Sequence, residues 1–525
     1  MKQKLLSTGL MALLFFSLAF AQKDVKINYK GFSECKGVSK ANVKQIKAAD
    51  KVYFKTAEPQ YLAALPLYLK AYPDESFAFD ALDWRVAMCY LYSSNKPAAI
   101  DYLLKCDDRI SRLYYFYLGK AYHFDGDFAT AKAYYTKFLK QFLEADEKVF
   151  YKSLDTDALR FPVKSVISTL VASCDLALEL RDDEVSTTLT NIGAINSERD
   201  ETFPFLMPDG ELVFTSNQYL RGKGRSNNYK VLTVDYNSGL VGDAPRLCEK
   251  YPKDDKDNLT ALPYQEVMGD SLLYQSMLTN KGDLMYVRPK KRKVVGASFP
   301  KINSSSQEGM ACYLDKNTLV FSSNRDSKDD NSDLYMSRKN ADGKWEKPIA
   351  LAGDINTTAD EEVVNYSDGV LYFVSDESSR SLGGYDIFRV PYLGNQQWGP
   401  VENLGYPINT ADNDMGYYPI SSEEGLYFGV RPENLGGLDI YKVTRTKVMR
   451  EAAEKPAPKA PEVSDKTLDS YKLTRAEYEA MLGEVRDSLN AESRQRDSVL
   501  ILDSAKVPVI AVPNEVPSPS HPIED

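Results

Sequence analysis

The chain has 525 residues, 65 Lys and Arg against 75 Asp and Glu, and a net charge of −10 with a pI near 5.2. That balance argues against nucleic acid and anionic membrane surfaces, because both repel an acidic chain, and the length sets a prior of about three domains with ample chain for their cores. Only two His occur, His123 and His521, so a Ser-His-Asp triad or a multi-His metal site has almost no material, whereas glycoside chemistry on Asp and Glu stays open.

Residues 1–21 read as a secretory signal peptide, with Lys2 and Lys4 as the charged start, residues 5–18 as the apolar core and Ala19-Phe20-Ala21 as the cleavage site. The apolar run is short for a membrane span. Gln22 rather than Cys follows, so a lipoprotein anchor is not expected, and no later stretch reaches 18 apolar residues. The mature chain is expected to be exported, soluble and periplasmic, beginning with an extension over 22–41. Six Cys (Cys35, Cys89, Cys106, Cys174, Cys248 and Cys312) are dispersed and form no C-x-x-C pair. Buried free thiols are expected, although export would permit a Cys89–Cys106 bridge.

Over 42–182 apolar residues recur at helical spacing and Gly and Pro become scarce. Tyr115, Leu118, Gly119, Tyr122, Ala131 and Tyr135 alternate small and aromatic positions, as two closely packed helices require. Shifted copies give Ala87, Tyr90, Ala99 and Leu103, then Ala64, Tyr68 and Ala71. The set resembles the tetratricopeptide pattern, which implies a solenoid of three helical hairpins, with a capping helix at 166–180.

From 183 to 446 the pattern changes to short strands. Ile-Asn-Ser/Thr recurs at Asn196, Asn303, Asn356 and Asn409, the last two steps being 53 residues and the first 107, close to two periods with one degenerate copy. After each linker comes a run ending in an aromatic, one residue and Ser: Phe214-Thr215-Ser216, Tyr274-Gln275-Ser276, Phe321-Ser322-Ser323 and Phe373-Val374-Ser375, the fifth copy departing as Phe428-Gly429-Val430. Asp plus two apolar residues follows at Asp283, Asp333, Asp386 and Asp439. A period near 53 with about four strands per copy signals a β-propeller. Asp368-Gly369 is a hairpin turn, the run 370–374 a buried inner strand, and Pro400 suits an outer strand. Gly383-Gly384 and Gly436-Gly437 are expected to supply positive φ. The stretch 191–197 resembles 403–410, so the strand before the first blade is expected to complete the last one, closing a ring of five. The fold class expected is α+β multidomain, an all-α solenoid followed by a five-bladed all-β propeller.

This repeat resembles the WD-like propeller repeat of TolB, on the Ile-Asn-Ser/Thr linker, the D-G-x-L-Y-F-x-S strand at 368–375 and G-G-Y-D-I-F at 383–388. Beyond 447 the chain is Pro- and charge-rich, as in KPAPKAPE at 455–462 and PNEVPSPSHPIED at 513–525, a composition expected to be disordered. One helical stretch is expected near 473–498, where Thr474 and Glu477 form a capping box, Leu473 and Tyr478 a staple, and Tyr478, Met481, Leu482, Val485 and Leu489 share a face. It is read as a tethered docking element or as a linker.

Candidate chemistry is sparse. Asp333, Asp386 and Asp439 recur in every clear copy, which favours closing a turn over catalysis. Asp326, Asp329, Asp330 and Asp333 form an acidic loop without the Gly and terminal Glu of an EF-hand, so a solvated insertion is favoured over calcium. RPKKRK at 288–293 is read as a solvated hairpin rather than a docking patch, and 249–258 as an enlarged loop. No catalytic, cofactor or metal residue is assigned. The order of signal, solenoid and propeller resembles periplasmic envelope proteins of Bacteroidota, of the PorE type associated with type IX secretion and gliding, without their peptidoglycan-binding OmpA-like domain. The resemblance implies a non-catalytic scaffold that binds other envelope proteins through the helical groove, propeller loops and C-terminal helix, with no nucleic acid and no transmembrane segment. The alternatives are a glycan-active propeller using Asp and Glu, or a ligand-binding propeller.

Overall fold

The computed structural model describes residues 25–56, 60–144, 163–181, 185–217, 229–237, 240–241, 244–251, 259–262, 272–276, 282–290, 293–299, 301–327 and 330–447. The chain divides into compact units at 1–449 and 450–525. The second lies outside the described residues, and so do the expected signal peptide and the 473–498 helix.

The helices are α1 (Tyr29–Ser33), α2 (Lys40–Tyr53), α3 (Tyr61–Leu69), α4 (Asp80–Leu91), α5 (Ala99–Leu103), α6 (Tyr114–Asp125), α7 (Phe128–Glu144) and α8 (Val163–Glu179). A capping box starts α2, in which Ser39 Oγ accepts from Asn42 N while Asn42 Oδ1 accepts from Ser39 N at 2.9 Å. A left-handed Gly126 ends α6. Sequential helices pack on one another, α6 on α7 and α7 on α8. At the α6–α7 contact a Cβ on Gly119 would lie 2.8 Å from the Tyr135 ring and 3.2 Å from the Ala131 carbonyl. Ala64, Ala99 and Ala131 are fully buried, so the small residues of the sequence pattern stand where helices touch.

Five antiparallel sheets follow. Blade 1 is β2 (Glu201–Leu206), β3 (Glu211–Ser216), β4 (Lys230–Asn237), β5 (Leu240–Val241) and β6 (Arg246–Leu247). Blade 2 is β7 (Leu259–Ala261), β8 (Leu273–Ser276), β9 (Asp283–Lys290) and β10 (Lys293–Ser298). Blade 3 is β11 (Glu308–Asp315), β12 (Thr318–Ser323), β13 (Asp333–Arg338) and β14 (Ile349–Ala350). Blade 4 is β15 (Glu361–Ser367), β16 (Val370–Ser375), β17 (Asp386–Gly394), β18 (Gln397–Trp398) and β19 (Glu402–Asn403). Blade 5 is β20 (Asp414–Pro419), β21 (Glu424–Gly429), β22 (Asp439–Lys447) and, from before blade 1, β1 (Val185–Asn191). The first strands touch one another around the axis, β11 with β15, β15 with β20 and β20 with β2. β1 pairs with β22 from Val185↔Lys447 to Asn191↔Tyr441 and closes the ring, covering the edge that β22 would otherwise leave bare.

Each letter of the linker motif has a separate task. The Ile is core: Ile195, Ile302, Ile355 and Ile408 are all buried. The Asn reaches back to the third strand of the preceding blade and binds both backbone groups of one residue. Asn303 accepts from Leu284 N at 3.0 Å and donates to its O at 2.9 Å; Asn356 does the same with Leu334 at 2.8 and 3.0 Å, and Asn409 with Ile387 at 2.8 Å both ways. Asn196 clamps Ile440 of the last blade at 2.9 and 2.8 Å, across the ring closure. The Ser or Thr reaches forward to the carboxylate that opens the next blade.

Two expectations need correction. Asp368-Gly369 does turn the β15–β16 hairpin at φ 50° and 80°, but the Gly383-Gly384 and Gly436-Gly437 pairs are not left-handed. A Cβ on Gly383 would collide with the backbone of Ala411 and one on Gly436 with that of Arg199, so these glycines let the start of the third strand lie on the following linker. The run 370–374 is an inner strand as expected, second in its blade between β15 and β17. The fifth copy is Tyr427-Phe428-Gly429, because Gly429 pairs with Asp439 as Ser375 pairs with Asp386; the aromatic Phe428 had suggested a frame one residue later.

Candidate functional site

The deepest carboxylates of the propeller recur, and each is filled with donors. Glu201 accepts from Ser197 N and Oγ, both at 2.8 Å, and from Ser216 Oγ at 2.6 Å. Glu308 accepts from Ser304 N at 2.9 Å and from Arg325 Nη2 at 3.0 Å. Glu361 accepts from Thr357 N at 3.0 Å, Thr357 Oγ1 at 2.6 Å and Ser375 Oγ at 2.7 Å. Asp414 accepts from Thr410 N at 2.6 Å, Tyr427 OH at 2.6 Å and Arg431 Nη2 at 3.2 Å. Burial raises Glu361 to about 7 and Asp414 to about 6 despite those donors. Asp386 and Asp439, singled out by the sequence, close turns: Asp386 Oδ2 accepts from Leu382 N at 2.8 Å and Asn403 Nδ2 at 2.6 Å. Asp439 accepts from Leu435 N at 2.7 Å, Gly436 N at 3.1 Å and Asn191 Nδ2 at 2.8 Å. Asp283 and Asp333 hold the same register opposite Ser276 and Ser323.

One carboxylate breaks the repeat. Glu362 follows Glu361, where blades 1, 2, 3 and 5 carry Thr202, Thr260, Gly309 and Met415. It crosses to blade 3 and takes a short hydrogen bond from Ser322 Oγ; a Cβ on Gly309 would stand 2.6 Å from its Oε2. In the two preceding junctions the equivalent of Ser322 binds backbone instead, Thr215 Oγ1 accepting from Ala261 N at 2.9 Å and Gln275 Nε2 donating to Glu308 O at 2.8 Å. Burial raises the Glu362 carboxyl, with Asp360 adding in the same direction. Asp376, whose Oδ1 accepts from Asp360 N at 2.9 Å, is pushed up to about 6 by burial. The signal that finds Glu362 in the sequence is its failure to recur.

The helices and the propeller are joined by side chains that no repeat marks. Lys96 pairs with Asp412, Ser173 Oγ donates to Leu382 O, and the Phe128 and Tyr406 rings meet edge-on at 5.2 Å. A Cβ on Gly405 would lie 2.9 Å from the Leu180 carbonyl. His123 is buried in this region, its Nδ1 3.3 Å from Tyr135 OH, and desolvation lowers it to about 4. The helices also carry a row of half-buried tyrosines: Tyr61 stacks on Tyr92 at 3.9 Å, Tyr90 on Tyr102 at 5.5 Å and Tyr122 on Tyr134 at 5.6 Å.

The remaining candidates hold no assembled chemistry. All six Cys are free and five are buried, so Cys89 and Cys106 are not bridged. Among the described residues no group of three His, Cys, Asp or Glu is placed to hold a metal ion. In the acidic loop Asp326 accepts from Tyr335 OH at 3.2 Å and Asp330 from Asn324 Nδ2 at 2.6 Å, while Asp329 lies outside the described residues. Of the RPKKRK run, 288–290 end β9 and Lys293 starts β10, with 291–292 outside the described residues, as are 252–258 of the enlarged loop. No described helix is long and apolar enough to cross a membrane.

No family model and no curated protein matches the chain. Among solved structures it is similar to a glycoside hydrolase (12% identity, TM-score 0.36, 55% of this chain and 98% of that one). It is also similar to an α-L-arabinofuranosidase from Lactobacillus brevis (13%, 0.30, 47% and 91%) and to TolB from Acinetobacter baumannii (12%, 0.27, 54% and 70%). Likenesses at these identities assign no activity to this chain. They do overturn the expectation that it is not an enzyme: the structures it resembles include carbohydrate-active enzymes, and one propeller build hosts both catalysis and binding. Scarcity of His bears on His chemistry and on nothing wider.

Proposed function

We propose that the chain is an exported cell-envelope adaptor, a tetratricopeptide-like solenoid fixed to a TolB-like propeller, of the kind found in periplasmic PorE-type components of type IX secretion and gliding machinery. The observation that carries this reading is the joint. Lys96–Asp412, Ser173–Leu382 and Phe128–Tyr406 hold the helical row of tyrosines and the propeller loops in one orientation, so two partners would be presented at a set separation. The signal-peptide pattern, the small-and-aromatic spacing of the helices and the Ile-Asn-Ser/Thr linkers support the finer assignment. Photo-crosslinkers placed at Tyr102 and at the exposed Leu393 in living cells test it. Capture of different envelope proteins from the two positions is expected, and capture of none from either overturns the reading.

A glycan-active propeller is favoured by one observation, the unrepeated Glu362 beside Asp360. Two carboxyls with displaced acidities are the equipment of glycoside cleavage. Turnover of any glycan that is abolished in E362Q would establish it; turnover unaffected by E362Q and D360N would remove it.

A further inference from the structure

The acidic total conceals a basic end. Between residues 25 and 70 the sequence has nine Lys and no Arg, against the three acids Glu34, Asp50 and Glu58. Lys40, Lys44, Lys47 and Lys51 follow at steps of four, three and four along α2, which at 3.6 residues per turn confines them to a stripe roughly 60° wide. All four are exposed, as is Lys55 just past the helix. Ile46, Ala49, Asp50 and Tyr53 form the buried side. The one acid of the helix is therefore turned inward, where its carboxylate accepts from Tyr29 and Tyr68. Nothing on α2 neutralises the stripe.

Next comes α3, YLAALPLYL, nine residues without a charged side chain. Only Ala64 and Tyr68 of it are buried, while Leu62 is 62% exposed and Ala63 and Pro66 face solvent. Phe54, at the end of α2, is 50% exposed. It flanks the same turn, since the Tyr53 ring lies 4.9 Å from that of Phe54 and 5.3 Å from that of Tyr61. A helix apolar on all sides is normally covered, and α3 is not.

We propose that the α2–α3 hairpin docks on an anionic phospholipid surface, with the lysine stripe on the headgroups and Phe54 and Leu62 in the boundary between headgroups and acyl chains. Basic stripes flanked by exposed large apolar side chains bind such surfaces by both terms together. An acidic protein would satisfy the lysines and leave α3 facing water, whereas lipid covers both. The net charge of the molecule does not oppose this, because at physiological salt a surface potential decays over about 8 Å and acts on the hairpin that touches it.

The test floats the chain without residues 1–21 on vesicles of phosphatidylglycerol with phosphatidylcholine, and on phosphatidylcholine alone. Binding to the anionic vesicles only is expected, weakened at least about tenfold at high salt and about tenfold or more by K44E/K47E/K51E. F54S/L62S should weaken it while keeping the salt dependence. The milder K44Q/K47Q/K51Q serves should charge reversal disturb folding, with melting curves as the control. Equal binding to neutral vesicles, no binding to either, or binding unchanged by both lysine variants overturns the proposal. Binding to polyglutamate without binding to vesicles does so too, and gives the surface to an acidic protein. None of these outcomes touches Tyr102 or Leu393, so the adaptor reading stands or falls separately.

Discussion

In blade 4 the carboxylate that opens the first strand is Glu361, capped by Ser375 Oγ at 2.7 Å, with Arg380 Nη2 3.9 Å away. In blade 5 it is Asp414, one methylene shorter, and Gly429 stands where Ser375 would be. The missing hydroxyl is supplied by Tyr427, which reaches Asp414 at 2.6 Å, and Arg431 moves in to 3.2 Å. The glycine is required by the tyrosine, because a Cβ at Gly429 would collide with the Tyr427 hydroxyl. What the two blades share is a buried carboxylate with a full set of donors, since an unfilled one would carry a large desolvation cost. Residue identities can change if they change together.

The comparison can be broken hardest at the ring closure, which only blade 5 has. Deleting 186–195 removes β1 and leaves β22 with a bare apolar edge. Loss of the cooperative propeller transition in calorimetry is expected, and an unchanged transition would mean that the ring closes otherwise. Asn196→Ala removes the side-chain partner of the buried Ile440 N–H, while the C=O keeps Ile192 N at 3.1 Å, at a cost of about 1–3 kcal/mol by urea denaturation. Asn356→Ala, the same clamp inside the ring, should cost a similar amount; a much smaller value there would show that closure is the special junction. Gly429→Ser imposes blade 4's residue on blade 5 and should cost about 2–3 kcal/mol through overpacking. Adding Y427F and D414E should recover more than half, and strictly additive losses would refute the concerted exchange.

Much of the propeller was legible because its junctions repeat. The 53-residue step located the linkers, and the likeness of 191–197 to 403–410 located the closing strand: Asn191 binds Asp439 as Asn403 binds Asp386. The tasks of Ile, Asn and Ser/Thr were hidden, since two of them are contacts with residues tens or hundreds of positions away. Gly383 and Gly436 were misjudged because a glycine's local freedom and its lack of bulk look alike in sequence; only the Ala411 and Arg199 backbones distinguish them. The joint was illegible for the opposite reason, since Lys96, Ser173 and Tyr406 occur once and belong to no pattern. Glu362 was missed because the row of blade-opening carboxylates it departs from shows only once Ser197, Thr357 and Thr410 are seen to bind them.

The smallest expected effect is a difference in pH dependence between the two carboxylates. Burial raises Glu361 from 4.5 to about 7, opposed by the Thr357 and Ser375 donors and by Arg380, and raises Asp414 from 3.8 to about 6, opposed first by Arg431. A raised acid binds its proton more tightly in the folded state, so its contribution is fully present below the unfolded value and is lost as pH rises through the folded one. For Glu361 the window is roughly pH 4.5 to 7, and for Asp414 roughly 3.8 to 6. The Glu361 shift corresponds to at most about 3 kcal/mol, and a measured change of about 1–2 kcal/mol is expected. Glu361→Gln, which keeps a neutral group of the same shape, should flatten the fall in stability between pH 6 and 7, where Asp414 has nearly finished titrating. Asp414→Asn should flatten it below pH 6 and leave the upper part intact. If both variants retain the parent's profile across pH 4 to 7, these carboxylates stay charged in the folded protein, and the donors around them outweigh burial.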